Sequence, residues 1–253
     1  MIMEIRKNKV KHKLMNGEIA TVPISPFAIT PDIIEYFGSY GFDGIQIENE
    51  HGAIDFADIP AMTMSADLWG MTSIVRVNMN LEGVIYRTLD VGASGIMVPH
   101  VDTKEDAEKV VKASKFYPVG TRGMYTSRQG IGVSDYFAKA NDETLLVVLI
   151  EDVIAVENLN SILEVDNIDV FHVPPGDLAQ SMGLLGQPEH PDVLKKIDEA
   201  VLKIVGAGRV AGVSAKASNV ESYIDKGATF LTTTFGSWIE SGAKKFLERC
   251  NKY

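Results

Sequence analysis

Cysteine is almost absent from this chain. Cys250, three residues from the end, is the single one. No disulfide can form within the chain, which suits a reducing compartment, and a cytoplasmic protein is expected. Long apolar runs are missing too. None approaches the ~20 residues a membrane helix needs. Positive charge is in short supply: 24 Lys and Arg stand against 34 Asp and Glu, for a formal charge of −10. Nucleic acid calls for a basic face and is argued against. No His/Cys spacing supports a structural zinc. No Walker sequence is present, and Gly206-Ala207-Gly208 is too slight for a nucleotide loop. Residues 1–18 are basic and polar without the apolar stretch of a secretory signal, and read as a solvated helix leading into the first strand.

What is present is an alternation. IATVPI, FDGIQIENEH, TSIVRVN, SGIMVPHV, LLVVLIE, DVFHVPP, RVAGVS and TFLTTT are short runs rich in β-branched residues. Each reads as a buried parallel strand. Segments with helical spacing lie between them. TPDIIEYFGSYG has Thr30 placed to cap, Pro31 at the first helical position and Gly41 at the end. TKEDAEKVVKASKF opens on Thr103 with Asp106 three residues on, close to a capping box. HPDVLKKIDEAVLKIVGAG is strongly amphipathic. Eight β-then-α units in 253 residues predict an α/β fold, a single (β/α)8 TIM barrel over 1–253, whose last helix spans about 237–253. The turn-rich stretch 117–142 is too long for a simple βα loop, and loops of that length are usually lids or binding loops.

The chemistry collects where the strands end. Val147, Val148, Leu149 and Ile150 run into Glu151, and Ile168, Val170, Phe171 and Val173 run into Pro174, Pro175, Gly176 and Asp177. Two carboxylates brought together at the C-terminal edge of a barrel repel unless a cation or a proton lies between them. That is the seed of a hard-metal site with oxygen ligands. Ser25, Glu48, Glu50, His51 and Arg76 map to the same rim. Plainer readings compete. Glu151 reads equally as a surface carboxylate opening a helix, Asp177 as the cap of the DLAQSMG turn, His51 as a satisfied polar residue, and Arg76 as a structural partner of Glu48 or Glu50. His12, His100 and His190 read as loop or surface residues, and His172 simply alternates within a strand.

Five segments, in order, carry a resemblance over nearly the whole chain: GFDGIQIENEH, LDVGASGIMVPHV, YPVGTRGM, YFAKANDETLLVVLIED and VPPGDLAQSMG followed by HPDV. They resemble the HpcH/HpaI aldolases, metal-dependent class II pyruvate aldolases typified by 4-hydroxy-2-oxoheptanedioate aldolase. The resemblance implies that Glu151 and Asp177 hold a divalent cation, Mg²⁺, Mn²⁺ or Co²⁺. It implies that Arg76 contacts the substrate's keto oxygen, that His51 is the acid/base, and that Asp90 pairs with that histidine from a neighbouring subunit. The backbone N–H groups of Gly176 and Asp177 would hold the substrate carboxylate. The implied reaction cleaves or forms a 4-hydroxy-2-oxoacid, giving pyruvate and an aldehyde through a metal-stabilised pyruvate enolate. The implied assembly is a homohexamer, a trimer of dimers, which the C-terminal helix would serve. Small oxoacids and aldehydes are the expected partners, with no nucleic acid and no membrane.

The chain departs from that pattern on the substrate side. The relatives' strand five often reads Q-I-E with the glutamine facing pyruvate, and here that position is Leu149. Their tryptophan in the first strand region corresponds to Ser25, and Glu48 replaces a usual Asp. The tail TTTFGSWIESG also differs. These changes keep other readings open: a related C–C lyase acting on an acyl-CoA, for which Arg122 and Arg128 are the candidate basic groups; a Schiff-base aldolase using Lys216; and a non-catalytic metal and oxoacid binding protein.

Overall fold

Inward and outward side chains alternate along eight short parallel strands, and that alternation builds the molecule. The computed structural model describes residues 3–24 and 29–252, so Ser25 lies outside the described residues. In chain order the elements are α1 (Lys9–Met15), β1 (Ala20–Ile24), α2 (Pro31–Ser39), β2 (Gly44–Glu48), α3 (Ile59–Leu68), β3 (Thr72–Arg76), α4 (Glu82–Asp90), β4 (Gly95–Val98), α5 (Lys104–Ser114), α6 (Tyr136–Glu143) and β5 (Leu145–Leu149). There follow α7 (Val153–Glu157), α8 (Leu159–Leu163), β6 (Val170–Val173), α9 (Pro175–Ser181), α10 (Pro191–Gly206), β7 (Ala211–Ser214), α11 (Val220–Asp225), β8 (Phe230–Thr234) and α12 (Gly236–Cys250). The single sheet runs β1-β8-β7-β6-β5-β4-β3-β2. Asp43 works at the remaining seam. Its N–H donates to the Thr21 carbonyl at 3.1 Å, and its carboxylate accepts from the Thr21 N–H at 3.0 Å. The result is a nearly closed (β/α)8 barrel, as expected.

The register puts side chains into two layers. Val147 pairs with Val170 and Leu149 with His172, so these four share the inner face. Val148, Phe171 and Val173 face outward into the large core under the helices. The interior is apolar at the strand starts and polar at the strand ends, where Glu48 and Arg76 pair across β2 and β3. That gradient places charged chemistry at the C-terminal rim.

Two expectations are corrected at the opposite end. The start of the chain is not a solvated helix. Val10 and Leu14 of α1 are buried against inward residues such as Val22 and Ile74 and plug the barrel's N-terminal mouth. Asn8 locks the plug, its side-chain N–H donating to the carbonyls of Ser94 at 2.9 Å and Glu143 at 3.0 Å. Basic residues around two apolar positions hid this in the sequence. Leu14→Ala should therefore cost about 2–4 kcal/mol, against about 0.5 kcal/mol for a solvated helix, read from the denaturant midpoint.

The stretch 117–142 is not a βα loop. It follows α5 and leads through α6 into β5, so it lies at the N-terminal end of its own barrel. Arg122 donates to Asp90 at 2.7 Å, Arg128 to Asp67 at 2.6 Å and Gln129 to the Gly92 carbonyl at 2.7 Å. The buried aromatics Phe116 and Tyr136 anchor its ends. Two helices are also interrupted. A 3-10 turn (Phe56–Asp58) precedes α3, and Asn158 separates α7 from α8.

Candidate active site

Glu48 organises the rim. It is 3% exposed at the end of β2. One carboxylate oxygen accepts from the backbone N–H groups of Glu50 at 2.9 Å and His51 at 3.0 Å, and so shapes the turn after the strand. The other accepts from the Gln46 amide at 3.1 Å and from Arg76 Nε at 2.7 Å. Arg76 Nη1 then reaches Glu50 at 3.0 Å. Arg76 is thus held in a fork between two acids, the pairing that was one of its two sequence readings. Burial works against its charge, but Glu48, Glu50 and Glu151 more than offset this and raise its pKa. Burial raises the Glu50 pKa despite the neighbouring Arg76.

His51 follows on the same turn. Its ring is largely exposed, with Nε2 3.9 Å from Glu50. Asp90 ends α4 at the other end of the barrel and is paired with Arg122. Within one chain, Asp90 and His51 are not brought together.

Glu151 is not a surface carboxylate. It is 1% exposed. Burial pushes its pKa up to about 7; the His100 N–H works against this, and the Asp177 charge adds to it. Asp177 is the third residue of α9, an acid in its first turn, and the cap position itself is Pro174. Gly176 is in the same turn, where backbone N–H groups lack partners within the helix. Among the described residues, no three His, Cys, Asp or Glu side chains group to hold a metal. The acids on offer are the pair Glu151 and Asp177. Two hard oxygen donors in mutual repulsion, one of them almost wholly buried, fit a divalent cation.

His100 is the residue the sequence reading missed. It is an exposed loop residue, as expected, yet it contacts the acids of the rim. Its backbone adopts φ +52°, which turns its N–H onto Glu151 at 2.8 Å. Its Nδ1 lies 3.0 Å from Asp152. The hydrogen bond to Asp152, with Glu151 adding, outweighs burial and raises its pKa. The available signal was its position: like Glu151, it stands two residues beyond the end of an apolar strand.

Leu149, 1% exposed, faces the barrel interior one level below Glu151. Lys216 is exposed and paired with Glu189, which denies it the desolvation a Schiff-base lysine needs.

A model of the family described as HpcH/HpaI aldolase/citrate lyase matches residues 27–238. The chain belongs to the HpcH/HpaI family. It is 35% identical over 229 residues to a 4-hydroxy-2-oxovalerate aldolase of Novosphingobium aromaticivorans, covering 87% of each chain. It is 34% identical over 252 residues to a hydroxypyruvate/pyruvate aldolase of Deinococcus radiodurans, covering 98% of this chain and 91% of that one. The crystal structure of an HpcH/HpaI aldolase from Desulfitobacterium hafniense superposes with a TM-score of 0.89 at 27% identity, covering 96% of this chain and 97% of that one. As an HpcH/HpaI protein with aldolase relatives over most of its length, it is a carbon–carbon lyase of the aldolase kind.

Proposed function

We propose that this HpcH/HpaI protein is a metal-dependent aldolase that splits a 4-hydroxy-2-oxoacid into pyruvate and an aldehyde. The observation that carries the reading is the buried Glu151 set against Asp177 beside a guanidinium already charged and oriented. When bound by those two carboxylates, a divalent cation such as Mg²⁺, Mn²⁺ or Co²⁺ would supply Lewis-acid stabilisation of the oxyanion. Arg76 faces the same negative charge as the C3–C4 bond breaks and pyruvate leaves as its enolate. His51 is the base that removes the 4-hydroxyl proton and later returns a proton to the enolate carbon, directly or through water. The N–H groups of Gly176 and Asp177 hold the oxoacid carboxylate. Leu149 completes the substrate side, and Ser25, assigned there from the sequence, lies outside the described residues.

The assembly we propose is a cytoplasmic homohexamer, a trimer of dimers. It would bring Asp90 of one subunit to His51 of another. Every residue of α12 from Ile239 onward is exposed, with apolar Ile239, Phe246 and Leu247 uncovered, which supports a role for that helix in subunit contacts. The acyl-CoA reading loses its candidate groove, because Arg122 and Arg128 are both ion-paired at the opposite end of the barrel.

The test is a retro-aldol assay over a panel of 4-hydroxy-2-oxoacids, with added divalent metal and coupled detection of pyruvate. His51→Gln should lower kcat by about 10²-fold. Pyruvate release from no member of the panel, with oxoacid and metal still binding, would leave a non-catalytic binding protein.

A further inference from the structure

Among the described residues, the Glu151 carboxylate accepts a single hydrogen bond, from the His100 backbone N–H to Oε1 at 2.8 Å. A backbone N–H only donates, so the direction of this bond is fixed. A carboxylate that is 1% exposed is thus oriented by one donor. Its Oε2 takes no hydrogen bond from the described residues.

The donor has an unusual backbone. His100 adopts φ +52°, in the left-handed region that glycine enters freely and residues with a Cβ rarely enter. Asn167 is the one other non-glycine residue there among those described. Such a conformation persists only where the surroundings hold it, and it clusters at functional sites. Here the hold is visible. Val98 ends β4 in register with Val148 of β5. Two residues on, the chain turns at His100, and its N–H crosses to Glu151, two residues beyond the end of β5. The ring is tied to the residue after that, with Nδ1 3.0 Å from Asp152 Oδ2. Its Nε2 lies 4.0 Å from Glu50 Oε1, on the Arg76 side of the rim. A glycine would make the same turn without strain and would leave the tie to Asp152 unmade.

We propose that His100 is a positioning residue for the cation at Glu151. Its left-handed backbone aims the N–H at Oε1, which orients the carboxylate and leaves Oε2 for the cation. The contact of the ring with Asp152 keeps the backbone in that conformation. The imidazole is neither a ligand nor a proton carrier. The proposal rests on the metal-dependent aldolase reading.

The experiment titrates Mn²⁺ into the full-length wild type and variants at position 100, with no oxoacid present, and counts free ion by electron paramagnetic resonance. A β-branched residue holds a left-handed backbone only under severe strain, so in His100→Val the N–H should leave Glu151. The Kd for Mn²⁺ should then rise at least about tenfold, the scale of losing an outer partner of a metal ligand. His100→Gly and His100→Asn both accept the conformation and keep the N–H, so each should stay within about threefold of wild type. Turnover of His100→Val should recover as Mn²⁺ is raised, which a general loss of structure would not allow. A crystal structure of metal-free His100→Val should show the Glu151 carboxylate moved from its wild-type place. Melting temperatures check folding. If His100→Val does not fold, the less strained His100→Ala takes its place and should bind Mn²⁺ at least about threefold more weakly than His100→Gly.

Wild-type affinity in a folded His100→Val overturns the proposal. So does an equal loss in His100→Gly, which would put the effect in the ring and not the backbone. If the wild type binds Mn²⁺ and the variants rank as expected, but no oxoacid is cleaved, the aldolase reading fails and the positioning role stands. A wild type that binds no Mn²⁺ overturns both.

Discussion

Glu151→Gln is expected to cut metal-dependent cleavage by at least about 10³-fold. A neutral amide removes half of the anionic oxygen pair and its charge. Asp177→Asn should do the same from the other side. Full activity of the wild type in excess chelator would sink the metal-dependent reading outright.

The same substitution should act oppositely on stability. The folded-state pKa of Glu151, about 7, lies above the 4.5 of an ordinary glutamate because burial, with Asp177 adding, disfavours the charge. The folded chain therefore keeps a proton that the unfolded chain releases. Metal-free stability is fully present below pH 4.5 and is lost as pH rises through 7, by up to about 3 kcal/mol. Glutamine has no such charge. In chelator, Glu151→Gln should match wild type near pH 4 and outlast it near pH 8 in denaturant titrations. Equal midpoints at both pH values would mean that the buried charge is already compensated by other means.

Arg76→Ala is expected to lower kcat/KM by about 10³-fold, the scale of removing one oxyanion-stabilising group from a closed site. Here the structure adds a second effect. Glu48 and Glu50, both largely buried, lose their cation together. Removing one partner of a buried pair costs about 3 kcal/mol or more, so the variant should also unfold early. Glu48→Gln in the Arg76→Ala background separates the two effects. It should recover stability by relieving the unpaired acid and recover no turnover. If turnover returned with stability, Arg76 would be a structural residue alone.

The rim residues were legible because strand ends can be read in sequence. Each apolar run stops abruptly, and Glu48, Arg76, Glu151 and Asp177 stand at or just beyond the stops. The same rule applied to strand four would have reached His100, two residues after Val98. Its contacts with Glu151 and Asp152 join segments some fifty residues apart, which no local pattern reveals. Asp90 enters only through the resemblance, since its place at the far end of α4, paired with Arg122, gives no local sign of a site.

Periodicity and composition together determined the eight strands, the helices between them, the barrel and the sharing of one rim by acids, histidine and arginine, because a period-2 or 3.6 pattern is a local property of the chain. What only the tertiary structure decided depends on segments far apart in sequence. It turned residues 9–15 into a plug, because Val10 and Leu14 meet inward side chains of strands that come later. It placed 117–142 at the N-terminal end, because the ion pairs with Asp67 and Asp90 link residues dozens of positions apart. It showed Glu151 to be buried, with a raised pKa and an N–H from His100, because desolvation is set by what covers a group and not by its neighbours in the chain.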